Sequence, residues 1–115
     1  MAKSQAVILC RLDDIPENSG RGFSVGGGLN RVDIFVVRRG MQVHAYRNVC
    51  PHKGLNLDWV PDQFMDPTGD YIHCSNHDAL FRIGDGYCIA GPCRGARLRA
   101  VWSCVAAEGT ALIHL

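Results

Sequence analysis

An all-β fold, a sandwich or barrel of short antiparallel strands, is what this sequence predicts. Three observations carry the prediction. Short runs rich in Val, Ile, Phe and Tyr recur along the chain, Gly, Pro, Asn and Asp cluster between them, and no segment combines amphipathic helical spacing with caps at both ends.

In chain order, AVILCRL at 6–12 is an apolar, β-branched run closed by Asp13-Asp14-Ile15-Pro16. Gly26 to Gly28, followed by Leu29-Asn30, read as a flexible turn. VDIFVV (32–37) and QVHAYRN (42–48) are two strands joined through Arg38-Arg39-Gly40-Met41, a hairpin signal. Residues 54–70, GLNLDWVPDQFMDPTGD, contain two prolines and four aspartates with little alternation, so they read as a long loop. Long loops in compact domains tend to be functional or mobile. Strands follow at Tyr71–His73 and Ala79–Ile83, then the Gly84-Asp85-Gly86 turn and Tyr87-Cys88-Ile89. LRAV (98–101), residues 102–106, the Glu108-Gly109 turn and TALIHL complete the set.

The 115 residues predict one domain, 1–115, with 47% apolar and 20% charged residues, a composition that excludes disorder. No apolar run approaches the roughly 18 residues that a membrane span needs. The opening MAKSQAVILCRLDD has too short an apolar stretch for a signal peptide, so a cytoplasmic location is expected. A formal charge of +1 gives no long-range attraction to nucleic acid or membrane, and neither is an expected partner. Arg38 and Arg39, and Arg94, Arg97 and Arg99, read first as a solvated rim.

The six cysteines are many for a chain of this length. In an exported chain they would suggest disulfides; in a reducing compartment the same enrichment suggests metal ligation or redox work. Cys10 and Cys104, within VILC and VWSCVAA, are expected to be small buried hydrophobes. Cys88 and Cys93 flank Gly91-Pro92 and are either a disulfide or two packed thiols, the latter favoured in a reducing cytoplasm.

The chemistry concentrates in Cys50-Pro51-His52 and, 21 residues later, Cys74-Ser75-Asn76-His77. Each half offers one thiolate and one imidazole and follows a predicted strand. Pro51 holds Cys50 extended and removes a backbone donor, and Gly54 lets the chain turn away. Two cysteines and two histidines are compatible with a structural zinc. Zinc sites, however, usually pair cysteine with cysteine and histidine with histidine at short spacing, whereas here each loop mixes one of each. A [2Fe–2S] centre with two histidines on one iron needs two sulfur and two nitrogen ligands.

This C-x-H…C-x-x-H arrangement between strands resembles the signature of Rieske iron–sulfur proteins, directly over the central third and by strand pattern over nearly the whole chain. Phe81 and the Gly91-Pro92 pair, similar to a third loop that covers the cluster, extend the likeness. The resemblance implies an antiparallel β-sandwich or barrel with a small cluster-binding subdomain, about 48–93. It implies a Rieske-type [2Fe–2S] cluster with Cys50 and Cys74 on one iron and His52 and His77 on the other. Such a centre passes from zero net charge to −1 on reduction, which raises its potential above that of four-cysteine clusters.

The 21-residue spacer is long for the family, and Asp78 replaces the usual glycine after the second histidine, with its carboxylate expected near a histidine ligand. High-potential members add a disulfide at positions that are Leu55 and Asn76 here, and hydroxyl donors at positions that are Ala79 and Phe81. The expected potential is therefore at the low end, about −150 mV. No second, non-haem iron domain is evident. The likeness thus runs to small ferredoxins that carry single electrons from a reductase to an oxygenase, acting as monomers or in transient complexes. The alternatives are the small Rieske-like subunit of a nitrite-reductase complex, whose partner is the large subunit, and a zinc-stabilised structural domain. Electron exchange is expected at the histidine edge, with Arg94, Arg97 or the acidic 58–70 loop orienting the partner.

Among the remaining residues, His73 precedes Cys74 in a strand and should point away from the ligand direction. His44 is expected at the surface or satisfied, and His114 gives no functional signal. Trp59, Phe64 and Trp102 are expected to pack in the core or under loops.

Overall fold

The computed structural model describes residues 6–51, 54–58, 60–75 and 78–114. Among these, nine strands are joined by turns and two single-turn 3₁₀ segments: β1 (Ala6–Arg11), β2 (Gly20–Val25), β3 (Val32–Arg39), β4 (Gln42–Arg47), β5 (Tyr71–Cys74), β6 (Ala79–Arg82), β7 (Cys88–Ala90), β8 (Ala100–Val105) and β9 (Thr110–His114). They form a six-stranded sheet in the order β1-β9-β8-β4-β3-β2, rolled towards a barrel, and a three-stranded sheet, β5-β6-β7. Every pairing is antiparallel.

Strand β3 explains the architecture. Its side chains alternate between two cores, Ile34 and Val36 on one side and Phe35 and Val37 on the other, and all four are fully buried. A strand covered on both faces reads as a continuous apolar run, as this one does. The first core fills the large sheet with Leu12, Ile15, Val43, Ala45, Val101 and Ile113. The second lies between the large and small sheets and contains Tyr46, Leu57, Phe64, Ile72 and Phe81, together with Cys50, Cys74, Cys88 and Cys93.

Strand β2 has no counterpart among the strands expected from the sequence, because GRGFSV contains two glycines where strand formers are expected. Those glycines make room. Phe64 stacks on Phe35 with ring centroids 4.5 Å apart, and a Cβ at Gly20 would stand 3.1 Å from the Phe64 Cβ. The described part of the 54–70 loop thereby packs against the sheet. Leu57 is also fully buried, and the Gly22 amide donates to the Asp62 carboxylate at 2.8 Å.

Three expectations are corrected. Trp102 is 56% exposed, not core, and meets the His114 ring edge-on at 4.5 Å. Cys10 and Cys104 are only half-buried, because β1, β8 and β9 turn one face outward. Arg38 is not a solvated rim residue: its guanidinium donates to the Ile15 carbonyl at 3.0 Å and its side chain is largely covered. No helix among the described residues is long and apolar enough to cross a membrane.

Candidate functional site

Strand β4 leads through Asn48 and Val49 into a tight turn at Cys50. The Cys50 amide donates to the Leu55 carbonyl at 2.7 Å and the Gly54 amide to the Cys50 carbonyl at 2.8 Å. Gly54 closes this turn in the left-handed region, φ 69°. Strand β5 ends at Cys74, and the Asp78 amide donates back to the Cys74 carbonyl at 2.9 Å as the chain enters β6. Here Asp78 adopts φ 55°, so an aspartate does make the left-handed turn that glycine makes more easily.

The two turns are tied together. The Ser75 amide, just after Cys74, donates to the Leu57 carbonyl at 2.9 Å, just after the first turn. Asn48, the buried polar residue among those described, fastens the same segment to β4. Its side-chain oxygen accepts from the Leu57 amide at 2.8 Å, and its amide nitrogen donates to Asp58 at 3.0 Å. Sequence reasoning missed Asn48, since a single asparagine after a strand looks like turn punctuation.

Cys50 and Cys74 are both fully buried and belong to one core with Ala79 and Phe81. His52 and His77 lie outside the described residues, as do Trp59 and Asn76. Among the described residues no set of three or more metal-ligating side chains converges. The described half of the expected site is thus two thiols on linked turns, buried where a thiolate calls for a cation, and this donor set fits iron or zinc. Ala79 and Phe81, on β6, offer no hydroxyl.

A third segment packs against the first two. Gly91, at φ 98°, lies so close to β6 that an added Cβ would sit 2.7 Å from the Ala79 Cα. The Cys88 and Cys93 sulfurs are 3.1 Å apart, a thiol pair rather than a disulfide. Burial first, then the Cys88 thiol, push Cys93 up to about 12.

The expectation that Asp78 stands near a histidine ligand falls on His52 and His77, which lie outside the described residues. Among the described residues, its carboxylate meets the ring of His73 at 2.9 Å, and His73 alternates along β5 with the buried Cys74. The acidic loop is also largely occupied with its own backbone: Asp58 accepts from the Asp62 amide and Asp66 from the amides of Asp70 and Tyr71. A second missed residue is Tyr46, whose hydroxyl donates to the Ile83 carbonyl at 2.6 Å beneath the small sheet.

Residues 5–106 match the Rieske [2Fe-2S] domain family. Among solved structures, the chain is similar to the ferredoxin of carbazole 1,9a-dioxygenase from Nocardioides aromaticivorans IC177, at 25% identity and TM-score 0.75, over 96% of this chain and 97% of that one. It shares its fold with a putative NADH-dependent nitrite reductase small subunit from Mycobacterium tuberculosis, at 20% identity and TM-score 0.67, over 99% and 97% of the two chains. The same fold occurs in a complex of reduced oxygenase and oxidized ferredoxin in carbazole 1,9a-dioxygenase, at 22% identity and TM-score 0.74, over 95% and 92%. No curated protein matches the chain. The family's cofactor is a Rieske-type [2Fe–2S] cluster. By its sequence match and its fold, this chain belongs to the Rieske [2Fe-2S] domain family.

Proposed function

We propose that this chain is a soluble one-electron carrier, a single Rieske domain over 1–115 working in the cytoplasm, with Cys50, His52, Cys74 and His77 as its cluster ligands. These four residues would hold the cluster, which would supply one-electron redox chemistry. Cys50 and Cys74 would supply thiolates to it, and His52 and His77 imidazoles. The hydrogen bond from Ser75 to Leu57 supports this reading best, because it holds the two cysteine turns side by side.

The rest of the chain excludes water and sets the potential. Phe81 and Ala79 line the buried side without hydroxyl donors, so the reduced state gains no such stabilisation. The acceptor is an oxygenase and the donor a reductase, by likeness to the carbazole dioxygenase ferredoxin. Purified protein tests the reading. Reversible one-electron reduction without a tightly bound partner supports it; a stable, co-purifying reductase subunit favours the alternative suggested by the nitrite reductase small subunit.

A further inference from the structure

Beside the Cys50 turn lies a cleft of about 210 Å³ walled by Val49, Pro51, Arg47, Arg97 and Arg99. Val49 is 46% exposed, and Pro51 precedes His52 directly. The arginines come from two separate segments. Strand β4 ends at Arg47, whose backbone amide donates to the Arg99 carbonyl at 2.8 Å, and the 97–99 stretch leads into β8. Arg97 stands 5.8 Å from the centre of the Tyr87 ring, and none of the three makes an ion pair among the described residues. Arg31, Arg38 and Arg82 are paired with Asp33, Glu17 and Asp85, whereas Arg11, Arg21, Arg39 and Arg94 make no ion pair among the described residues either; what sets the cleft apart is that three such arginines share one hollow with an exposed valine and a proline.

We infer that this cleft docks a redox partner protein through an acidic rim around an apolar contact. The inference rests on the electron-carrier reading and names the partner's chemistry. An exposed valine and proline beside guanidiniums that make no ion pair among the described residues have the composition of an interface that takes carboxylates. Arginine suits that role because its planar fork binds carboxylates in a bidentate way. Because the net charge is only +1, the whole molecule gives almost no monopole field, and any steering must come from the local patch. The position matters equally, since a partner seated over Pro51 stands beside the loop that carries His52.

The test compares Arg97→Glu/Arg99→Glu with Arg21→Glu/Arg39→Glu, which makes the same change in net charge on β2 and on the far end of β3. Two probes are used on the holoprotein. The first is the rate at which the reduced protein passes its electron to hexacyanoferrate(III), an anion, and to tris(phenanthroline)cobalt(III), a cation. The second is binding of fluorescein-labelled poly-L-glutamate, read by anisotropy. Expected are an about tenfold slower reaction with the anion and a faster one with the cation for the 97/99 variant, with little change for the control. Poly-L-glutamate binding should weaken only in the 97/99 variant. The neutral pair Arg97→Gln/Arg99→Gln should fall between, which guards against misfolding by charge repulsion. Equal effects in both charge-reversed proteins overturn the inference. So does a rate effect without poly-L-glutamate binding, which would mean steering of small ions only. A protein that cannot be reduced at all removes the electron-carrier reading itself, and the docking inference with it.

Discussion

The carboxylate of Asp78 lies 2.9 Å from the Nε2 of His73, joining the residue that ends the second cysteine turn to the one that precedes Cys74. The pair spans the turn from outside and fixes where Asp78 directs its charge. It also accounts for an aspartate in a left-handed conformation, since a short polar side chain with a local partner tolerates φ 55° better than alanine does.

Asp78→Ala should therefore destabilise the fold by about 1–2 kcal/mol, and Asp78→Gly by less, measured by urea unfolding. Asp78→Gly also removes a negative charge close to the centre and should raise the reduction potential, by an amount on the order of tens of mV. A potential and a pH dependence both left unaltered by Asp78→Gly would rule out a role for this carboxylate at the centre.

Stability should fall in alkali before the backbone is damaged. Burial, and then the charge of Asp85, push the Tyr46 hydroxyl up to about 12, and burial pushes the Cys93 thiol up to about 12. Both groups lose their protons earlier in the unfolded chain, from ordinary values of 10.0 and 9.0. Their contribution is complete below pH of about 9 and is lost progressively up to about 12. Tyr46→Phe should cost about 1–2 kcal/mol at neutral pH, because the Ile83 carbonyl loses its donor, and should flatten the decline above pH of about 10. Urea midpoints measured from neutral pH up to about 12 decide this.

Phe64 is the anchor of the long loop. Phe64→Ala should cost about 3–4 kcal/mol and make residues 54–70 more open to limited proteolysis than in the wild-type protein. A loss under about 1 kcal/mol, with unchanged cleavage, would contradict the role of the stacked Phe35–Phe64 pair.

A low potential follows from what surrounds Cys74. With Ala79 and Phe81 where hydroxyl donors could stand, protein-film voltammetry should give about −150 mV. A value above roughly +100 mV would contradict it.

Much of this was legible in the sequence for physical reasons. The strands with β-branched runs, such as β3, and the hairpin through Gly40 declare themselves because burial on one or both faces dictates their residue types. The cysteine turns were visible because a cysteine and a histidine two or three residues apart, repeated in two loops, place soft donors where packing alone has no use for them. Strand β2 was hidden, because Gly20 and Gly22 are chosen for the ring of Phe64, a contact 40 or more residues away in the chain. Asn48 and Tyr46 were hidden for the same reason: their partners, Leu57, Asp58 and Ile83, are neighbours only after folding. Cys10, Cys104 and Trp102 misled because apolar residues around them suggest burial, while one face of the β1-β9-β8 edge remains open.

The most direct test of the centre is the optical and electron-paramagnetic-resonance spectrum of the purified protein, taken with its metal content. The expected result is a brown protein with about two irons and two sulfides per chain and the spectrum of a histidine-ligated [2Fe–2S] cluster, lost in Cys50→Ser and Cys74→Ser. A colourless protein with about one zinc per chain would contradict it.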